Sequence, residues 1–419
     1  MFGRRANLYL LTYLSDLCST LFVFTGTRYL AEHDGDLMHL GILGVCGSLS
    51  YALSAAVVGH LCDRFGRRRL IALGSLTLAG ANVAALQTME TPWIYLEYAL
   101  SGVALSLIFP PLIALFSTDE DGGGSRGDRG RSSTRPLILF CLSWNLGVVS
   151  GNLTGGTVFA IDPQLCLKLG IGLCLVHFTL TLLNAHAVRR RQQTPVPVPS
   201  LDGTAELARE TLEPPTQPVA TMRLFAFTGW LGNMAAAFGI SLVLYIFPQL
   251  AASLEIDAPT HGFMVMTSRF GVVSMYLLLH FTSFWRYRIE PGLVASACAI
   301  AGLWLLANAT TVPLLTCGIV LVGILMGYNY FSSIFYSTTG FSDRRRGLAA
   351  GVHEAMIALG FTVGSLGGGY AGKMMGVRAP FEICIAAIVC ISALQLIAFV
   401  ALRRRGRAES SDGRWSEAT

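Results

Sequence analysis

Long apolar segments run through almost the whole chain and restrict what it can fold into. A helix needs ~20 mostly apolar residues to cross the hydrocarbon core of a bilayer, and twelve segments of about this length are present. Charged residues make up only 13% of the 419 residues, whereas soluble proteins carry roughly 25%. We therefore predict an all-α integral membrane protein. The predicted spans are 7–29, 38–59, 69–88, 92–117, 136–160, 165–188, 222–250, 259–283, 291–309, 311–336, 347–371 and 379–402.

The basic residues between these segments predict the orientation of the chain. If the N-terminus is cytoplasmic, 25 of the 30 basic residues lie on the cytoplasmic side or at its edge and four lie on or near the other side. The remaining one, Arg269, lies deep within a span. Cytoplasmic loops of membrane proteins carry an excess of Lys and Arg. This distribution predicts an even number of spans with both termini in the cytoplasm.

The longest polar segment divides the predicted spans into six and six. Residues 189–221 are proline-rich ("RRRQQTPVPVPS", "LEPPTQP"), and such a composition is typical of a linker. We predict an N-terminal six-helix bundle at 1–188, a cytoplasmic linker at 189–221, a C-terminal six-helix bundle at 222–402 and a cytoplasmic tail at 403–419. The basic loops "DRFGRRR" and "WRYRIEP" occupy corresponding places in the two halves, as in transporters built from repeats.

Several classes of function lack their sequence signals. The chain has neither a P-loop, with only two lysines in all, nor a His-Glu-x-x-His motif or a Ser-His-Asp constellation. The ten cysteines are scattered singly through apolar runs, as buried small side chains are. The arginines occur in short clusters between apolar segments rather than along one solvated face, which argues against nucleic-acid binding. We predict no enzyme activity, no cofactor and no metal site.

The stretch "GHLCDRFGRRRL" at 59–70 resembles the signature loop between helices 2 and 3 of the major facilitator superfamily, G-x-L-a-D-r-x-G-r-k-x-x-l. The resemblance implies a twelve-helix fold of two pseudo-symmetric six-helix bundles that works by alternating access. It also implies that Asp63 faces the N-terminal end of helix 11 and latches the two halves together when the cavity faces outward. The residues predicted to form this conformational gate are Gly59, Asp63, Arg64, Gly66, Arg67 and Arg68.

A second resemblance lies in helix 5, where "GVVSGNLTGG" at 147–156 is similar to the antiporter-type motif G-x-x-x-G-P-x-x-G-G of the superfamily. The glycines match, but Asn152 stands in place of the proline. Many proton-coupled members also carry an arginine four residues before a helix 4 glycine, and here that residue is Tyr98. These departures leave both export and uptake open. The matching glycines are Gly147, Gly151, Gly155 and Gly156.

Ionisable residues within spans are costly and are candidates for function. Asp16 lies about 14 Å into the first span, and we predict that it binds a proton or a cationic substrate. The alternative is an aspartate that neighbouring hydroxyls hold for packing alone. Arg269 and Glu354 are predicted to form a pair, or a shared water-filled network with His353 nearby. Asp16 is the rival partner of Arg269.

Polar side chains in other spans are weaker candidates. Amides can bind a substrate, but they also join transmembrane helices to one another. Helix 10 ends in the aromatic-rich stretch "GYNYFSSIFYS", which belongs either to the interfacial belt or to a pocket for apolar or aromatic solutes. The candidates for contact with the substrate are Asn145, Asn152, Asn233, Tyr328 and Asn329.

Together these features predict a secondary active transporter that moves a small solute by alternating access. We expect coupling to protons and export of an amphiphilic molecule. The alternatives are proton-coupled uptake of a small metabolite and a non-transporting sensor or scaffold on the same fold. The expected partners are the solute, protons and the lipid bilayer, without nucleic acid, and we expect a monomer. Since 331–370 looks similar to bacterial permeases, we expect a bacterial cytoplasmic (inner) membrane.

Overall fold

The computed structural model describes residues 4–120, 134–192, 218–339, 341 and 343–411, and these residues form helices and turns without a strand. Twelve long helices follow one another along the described chain. They are α1 Arg4–His33, α2 Leu37–Phe65, α3 Arg67–Gln87, α4 Trp93–Glu120, α5 Thr134–Phe159, α6 Pro163–Gln192, α7 Val219–Ser253, α8 Ala258–Phe281, α9 Glu290–Asn308, α10 Val312–Thr339, α11 Asp343–Met375 and α12 Ala379–Ser411.

The twelve predicted spans coincide with these twelve helices, so the predicted fold class is confirmed. Eleven of the helices in the described residues are long and apolar enough to cross a membrane. The twelfth helix, α11, includes positions whose side chains lie outside the described part of the structure. Helix α6 extends to Gln192, beyond the predicted start of the linker, and α12 extends to Ser411 within the predicted tail. Residues 193–217 and 412–419, predicted as linker and tail, lie outside the described residues.

The two halves of the bundle, α1–α6 and α7–α12, meet along two helix pairs, α2 with α11 and α5 with α8. Glycines allow the backbones to touch at both seams. A Cβ atom on Gly41 would lie 2.6 Å from the Ser365 carbonyl oxygen, and one on Gly156 would lie 2.5 Å from the Ala258 carbonyl oxygen. Close backbone approach through small residues is a common way for transmembrane helices to associate.

These seams close one end of the bundle. We call the end that carries the α1–α2 and α7–α8 turns the opposite face, and the end that carries Arg4 and Ser411 the terminal face. At the opposite face Lys373 Nζ donates to Asp36 Oδ2 at 2.7 Å, which joins α11 to the start of α2. Arg28 Nη2 of α1 donates to the Ile256 carbonyl oxygen at 2.9 Å, in the turn between α7 and α8. The two halves are therefore held together at the opposite face.

Helix α7 is interrupted by one wide turn in its second half. Residues Leu242–Ile246 form a π-helical turn, and Pro248 follows directly. Proline lacks an N–H, and its ring clashes with the carbonyl four residues earlier in a regular α-helix. A π-bulge relieves that clash and is frequent at functional sites. Here Tyr245 within the turn and Ile240 just before it both line the central cavity.

Candidate functional site

A cavity of about 290 Å³ lies between the two halves. Its walls come from α1, α2, α4, α5, α7, α8, α10 and α11, so both halves contribute. On α4 the wall includes Phe109 and Ile113, which lie near the terminal face, and the side chain of Ile113 is exposed. Since the opposite face is closed by contacts between the halves, the cavity is reached from the terminal face.

Three acidic or basic side chains line this cavity: Asp16, Arg269 and Glu354. Asp16 and Arg269 lie in the middle of α1 and α8 and are only 7% and 6% exposed. Glu354 of α11 has 43% of its side-chain surface exposed. The aspartate and the arginine therefore form the deep part of the site, whereas the glutamate lies where solvent reaches it.

Asp16 and Arg269 belong to different halves and are close enough to attract each other electrostatically. Neither Asp16 Oδ2 nor Arg269 Nε has a hydrogen-bond partner among the described residues. The Arg269 guanidinium carbon lies 5.7 Å from the centre of the Trp144 ring, a cation–π arrangement across the α5–α8 seam. A buried arginine requires a counter-charge, and this geometry favours Asp16, the rival partner in the sequence-based hypothesis.

Glu354 has the imidazole of His353, rather than Arg269, as its neighbouring ionisable group. His353 Nε2 lies 3.9 Å from Glu354 Oε1, and His353 Nδ1 is hydrogen-bonded to Ser333 Oγ at 2.8 Å. The ring of Tyr330 packs against the imidazole at 5.2 Å between centroids. The structure thus places His353 next to Glu354, as the sequence suggested, and brings Arg269 into the same cavity without a direct ion pair to Glu354.

Eight residues of the remaining wall are aromatic. The sequence suggested an aromatic pocket only for helix 10, as one of two alternatives, and gave no sign of the other aromatic wall residues. In the sequence, Tyr98 stands out only because it occupies the place of an expected arginine. In the structure its hydroxyl donates to the Val23 carbonyl oxygen at 2.8 Å and joins α4 to α1. Its neighbours on the wall come from five further helices. The aromatic lining residues are Tyr51, Tyr98, Phe109, Phe140, Trp144, Tyr245, Tyr330 and Phe361.

The amides predicted to contact substrate lie elsewhere in this conformation. Asn145, Asn152 and Asn329 each donate to the carbonyl four residues earlier in their own helix, at 2.7, 2.9 and 3.1 Å. Asn233 is fully buried, and Tyr328 packs against Gly292 of α9. None of these five side chains is among those that line the described cavity.

The helix 5 glycines lie on two faces of α5. Gly147 faces the α1 backbone at Tyr13 and the Asp16 side chain, and Gly151 and Gly155 face α1 one and two turns further on. Gly156 instead faces the backbone of α8 at Ala258 and Gly262. The stripe therefore lets α5 contact α1 beside Asp16 and also lets the two halves meet at the opposite face.

The fold and the sequence together establish the family. The family model described as Major Facilitator Superfamily matches residues 8–339. The chain belongs to the major facilitator superfamily. The resemblance of residues 59–70 to its signature loop is thereby confirmed, and the relatives indicate a transporter rather than an enzyme.

Curated relatives within the superfamily have different substrates in their names. The chain is 32% identical over 132 residues to a 3-(3-hydroxy-phenyl)propionate transporter of Escherichia coli, covering 30% of this chain and 31% of the relative. It is 29% identical over 170 residues to the class C tetracycline resistance protein of Escherichia coli, covering 39% and 40%. It is 25% identical over 321 residues to the multidrug resistance protein MdtH of Aeromonas salmonicida, covering 74% and 72%. The first two matches therefore span less than half of those relatives.

Solved structures share the fold at low identity. The nucleoside transporter NupG superposes with a TM-score of 0.68 at 14% identity, covering 95% of this chain and 99% of that chain. A bacterial homologue of the human lysosomal transporter Spinster, in an inward-facing and unoccupied conformation, gives a TM-score of 0.63 at 15% identity, covering 100% of both chains. These similarities establish the superfamily fold of the chain.

The signature loop of the superfamily lies at the terminal face. Gly66 separates α2 from α3 with a φ of 84°, a conformation that glycine adopts without strain. Arg68 Nη1 donates to the Asn184 carbonyl oxygen of α6 at 3.2 Å, while Arg64 is exposed and Arg67 half-buried. The Gly59 and Asp63 positions lie in α2, but the side chain of Asp63 is outside the described part of the structure. The latch between Asp63 and helix 11 stays a prediction.

The Asp36–Lys373 ion pair should contribute modestly to closure of the opposite face. Partial burial raises the pKa of the Asp36 carboxyl, but hydrogen bonds from Lys373 and the Met38 N–H outweigh it, so the net pKa lies below its ordinary value. The stabilisation is therefore present above the ordinary carboxyl pKa and is lost only as the pH falls through the lowered one. The Asp36 carboxyl therefore stays ionised across pH 5–8.

We expect Lys373→Gln to shift the population toward an open opposite face by at most about fivefold, because exposed ion pairs contribute ~0–1 kcal/mol. The measurement is the distance between spin labels at Glu90 and Thr310, which lie in exposed turns of the two halves at this face, with the native cysteines replaced. Lys168→Gln, at an exposed lysine of the same face, is the matched control. A larger loss of the closed population would show that this pair dominates closure, contrary to the prediction.

Proposed function

We propose that this chain is a proton-coupled secondary transporter that exports a small amphiphilic molecule by alternating access. It would lie in a bacterial cytoplasmic membrane as a monomer, with the terminal face toward the cytoplasm. The observation that carries the proposal is the cavity between the two halves, which eight aromatic residues line together with Asp16 of one half and Arg269 of the other. The described conformation is then the inward-facing one.

Alternating access is supported by where the halves touch. The contacts at Gly41, Gly156 and Lys373 lie toward the opposite face, while the cavity is reached from the terminal face. Closing the terminal face and separating these seams would expose the same residues to the other side. A small rocking motion of two bundles about a fixed central site is the usual mechanism of transporters built from repeats.

Proton coupling is supported by the charges in the deep part of the cavity. Asp16 balances Arg269 only while it is ionised, because protonation removes the attraction between α1 and α8. A proton that binds Asp16 would therefore weaken a contact between the halves and free Arg269. Secondary transporters commonly place such ionisable groups within the membrane as proton relays.

The cavity also supports an amphiphilic cargo. A volume of about 290 Å³ is close to the lower end of the ~300–1,000 Å³ typical of small-molecule sites. Its aromatic faces suit apolar or aromatic groups and can stabilise a cation. With Arg269 balanced by Asp16, the charge of Glu354 is left to attract a positively charged group. The names of the tetracycline and multidrug resistance relatives agree with export of such molecules.

Uptake of a small aromatic metabolite is the second candidate. The helix 5 motif lacks its proline at Asn152, helix 4 has Tyr98 in place of an arginine, and one relative is named as a transporter of a phenylpropionate. An anionic substrate would pair with Arg269 rather than with Glu354. The charge of the transported molecule thus distinguishes the two candidates.

The test is flux in proteoliposomes of the purified protein, with and without an imposed pH gradient. The solutes are a monocationic aromatic dye, a neutral aromatic amphiphile and 3-phenylpropionate. We expect gradient-driven movement of the dye against proton flow, reduced about tenfold or more by Glu354→Gln and unchanged by Glu382→Gln, at an exposed acid on α12. Movement of phenylpropionate together with protons would favour uptake, and a lack of flux for every solute would contradict the transport proposal.

A further inference from the structure

A histidine outside the central cavity lies within the closed seam of the opposite face. His261 is in the first turns of α8, where its backbone N–H donates to the Asp257 carbonyl oxygen at 2.9 Å. Its ring packs against Phe24 of α1 at 4.9 Å and against Phe247 of α7 at 5.6 Å between centroids. Because Phe24 belongs to the N-terminal half and the other two residues to the C-terminal half, this stack spans the seam.

Neither ring nitrogen of His261 has a hydrogen-bond partner in the described structure, and the side chain is only 1% exposed. A neutral imidazole loses one or two hydrogen bonds in such a site, which is a modest cost. A protonated imidazole would carry a full charge with two N–H donors and no acceptor, which is far more costly. The closed stack therefore accommodates the neutral ring and excludes the protonated one.

The charged groups around the ring strengthen this preference. Arg28 of α1, one turn beyond Phe24, is near enough to repel a charge on His261. Of the acids nearby, Glu32 is paired with Arg28 at 2.6 Å, and Asp257 caps the N-terminus of α8 by accepting from the Thr260 N–H at 2.6 Å. Glu255 is an exposed residue in the α7–α8 turn.

The helices on the other sides of the ring supply no counter-charge. Next to His261, at Gly262, α5 presents Gly156 and the Asn152 carbonyl oxygen to α8. From α6 the titratable group in this cluster is the buried thiol of Cys166. An added proton on His261 would thus meet one positive charge and no free carboxylate in the stack.

We propose that His261 is a proton-binding gate residue, and that the opposite face closes only while its imidazole is neutral. When the halves separate, Phe24 leaves the ring and water can solvate both nitrogens. A proton taken up in that state must leave before the face closes again. Acid on the opposite-face side therefore holds the transporter open toward that side.

The expected size of the pH response follows from the linkage between proton binding to His261 and opening of the opposite face. An imidazole that is solvated in the open state titrates near its ordinary value of ~6.5, and the closed state excludes the proton. The ratio of open to closed molecules should then rise by up to about tenfold per pH unit below ~6.5. The Asp36 carboxyl cannot produce this response, because it stays ionised across pH 5–8.

The experiment uses the spin labels at Glu90 and Thr310 at pH 7.5, 6.5 and 5.5, with the full-length protein in lipid nanodiscs. We expect the fraction with the longer distance to rise as the pH falls. His261→Phe, which keeps an aromatic ring in the stack, should remove the pH dependence and favour closure. His261→Gln is a second neutral variant in case phenylalanine does not pack. Loss of the response in either folded variant supports the gate.

Two other histidines serve as matched controls. His280 lies on the same helix at the terminal face, and His39 lies at the opposite face with its ring hydrogen-bonded to Asp34. His280→Phe and His39→Gln should both leave the pH dependence intact. The gate is refuted if the wild-type distances do not change with pH, or if the response persists in the His261 variants or disappears in His39→Gln.

The inference rests on the proposed alternating access only in requiring that the opposite face can open. The label measurement needs no substrate and no gradient, so its outcome is separate from that of the flux assay. If flux is absent while the labels respond to pH, the export proposal fails and the gate stands. If flux is normal while the labels do not respond, the gate fails alone.

Discussion

Asp16→Asn is expected to lower gradient-driven flux by about 100-fold or more and also to destabilise the protein. The substitution removes the group proposed to carry the proton, so the remaining flux should no longer respond to a pH gradient. It also removes the counter-charge of Arg269, a residue that is only 6% exposed. Removing one partner of a buried pair typically costs ~3–5 kcal/mol. Flux in proteoliposomes and thermal unfolding in detergent measure the two effects separately.

Double substitutions identify the partner of Arg269. In Asp16→Asn combined with Arg269→Gln, no unpaired charge remains, so we expect thermal stability to recover while flux stays absent. Arg269→Gln combined with Glu354→Gln should give no such recovery, because Asp16 would then be the unpaired charge. Glu382→Gln serves as a control for the loss of an exposed acid. Recovery of stability only in the Arg269 and Glu354 combination would instead establish the pair that the sequence first suggested.

The architecture was predictable because the bilayer restricts the choice of structure so strongly. Backbone polar groups in hydrocarbon must be paired within a helix or a closed barrel, and each apolar segment between arginine clusters is long enough for one spanning helix. The span predicted at 347–371 lies within α11, Asp343–Met375, so this helix too was found from its apolar sequence. The signature loop at 59–70 then indicated the family before any contact was known.

The wall of the cavity could not be predicted in the same way. Aromatic residues are common in helices because they pack, line pockets or anchor at the membrane interface, and the sequence does not distinguish these uses. On α10, Tyr328 and Asn329 were predicted to contact the substrate, whereas Met326 and Tyr330 line the cavity in this conformation. The role of the amides stays a prediction, since in this conformation Asn145 and Asn152 each donate an N–H within their own helix.

Ionisable residues were a better guide to the cavity, because a charge buried within the membrane needs a counter-charge or water. Asp16, Arg269 and Glu354 were selected only as ionisable residues within spans, and the structure brings all three to one cavity. Which acid faces the arginine depends on helix rotation and on the conformational state, neither of which a single sequence reveals. His261 escaped notice because a lone histidine in an apolar span has no pattern, and its place in the seam depends on residues from α1 and α7.

The second large effect is expected from a single methyl group at the seam between α5 and α8. A Cβ on Gly156 would lie 2.5 Å from the Ala258 carbonyl oxygen and 3.1 Å from the Gly262 Cα atom. Ordinary contacts between carbon and oxygen are longer. In the Gly156→Ala variant, α5 and α8 must therefore move apart at the seam that closes the opposite face. We expect flux to fall at least about tenfold, and the labels at Glu90 and Thr310 to report the longer distance even at pH 7.5.

Gly172→Ala is the matched control, because a Cβ at Gly172 of α6 would meet nothing within 4 Å. Alanine is a better helix former than glycine by ~1 kcal/mol, so neither substitution should weaken its own helix. A loss of flux confined to Gly156→Ala would therefore be due to the failure of the two halves to meet. Normal flux in that variant would mean that the α5–α8 contact does not limit the transport cycle, and closure would then depend on the α2–α11 seam alone.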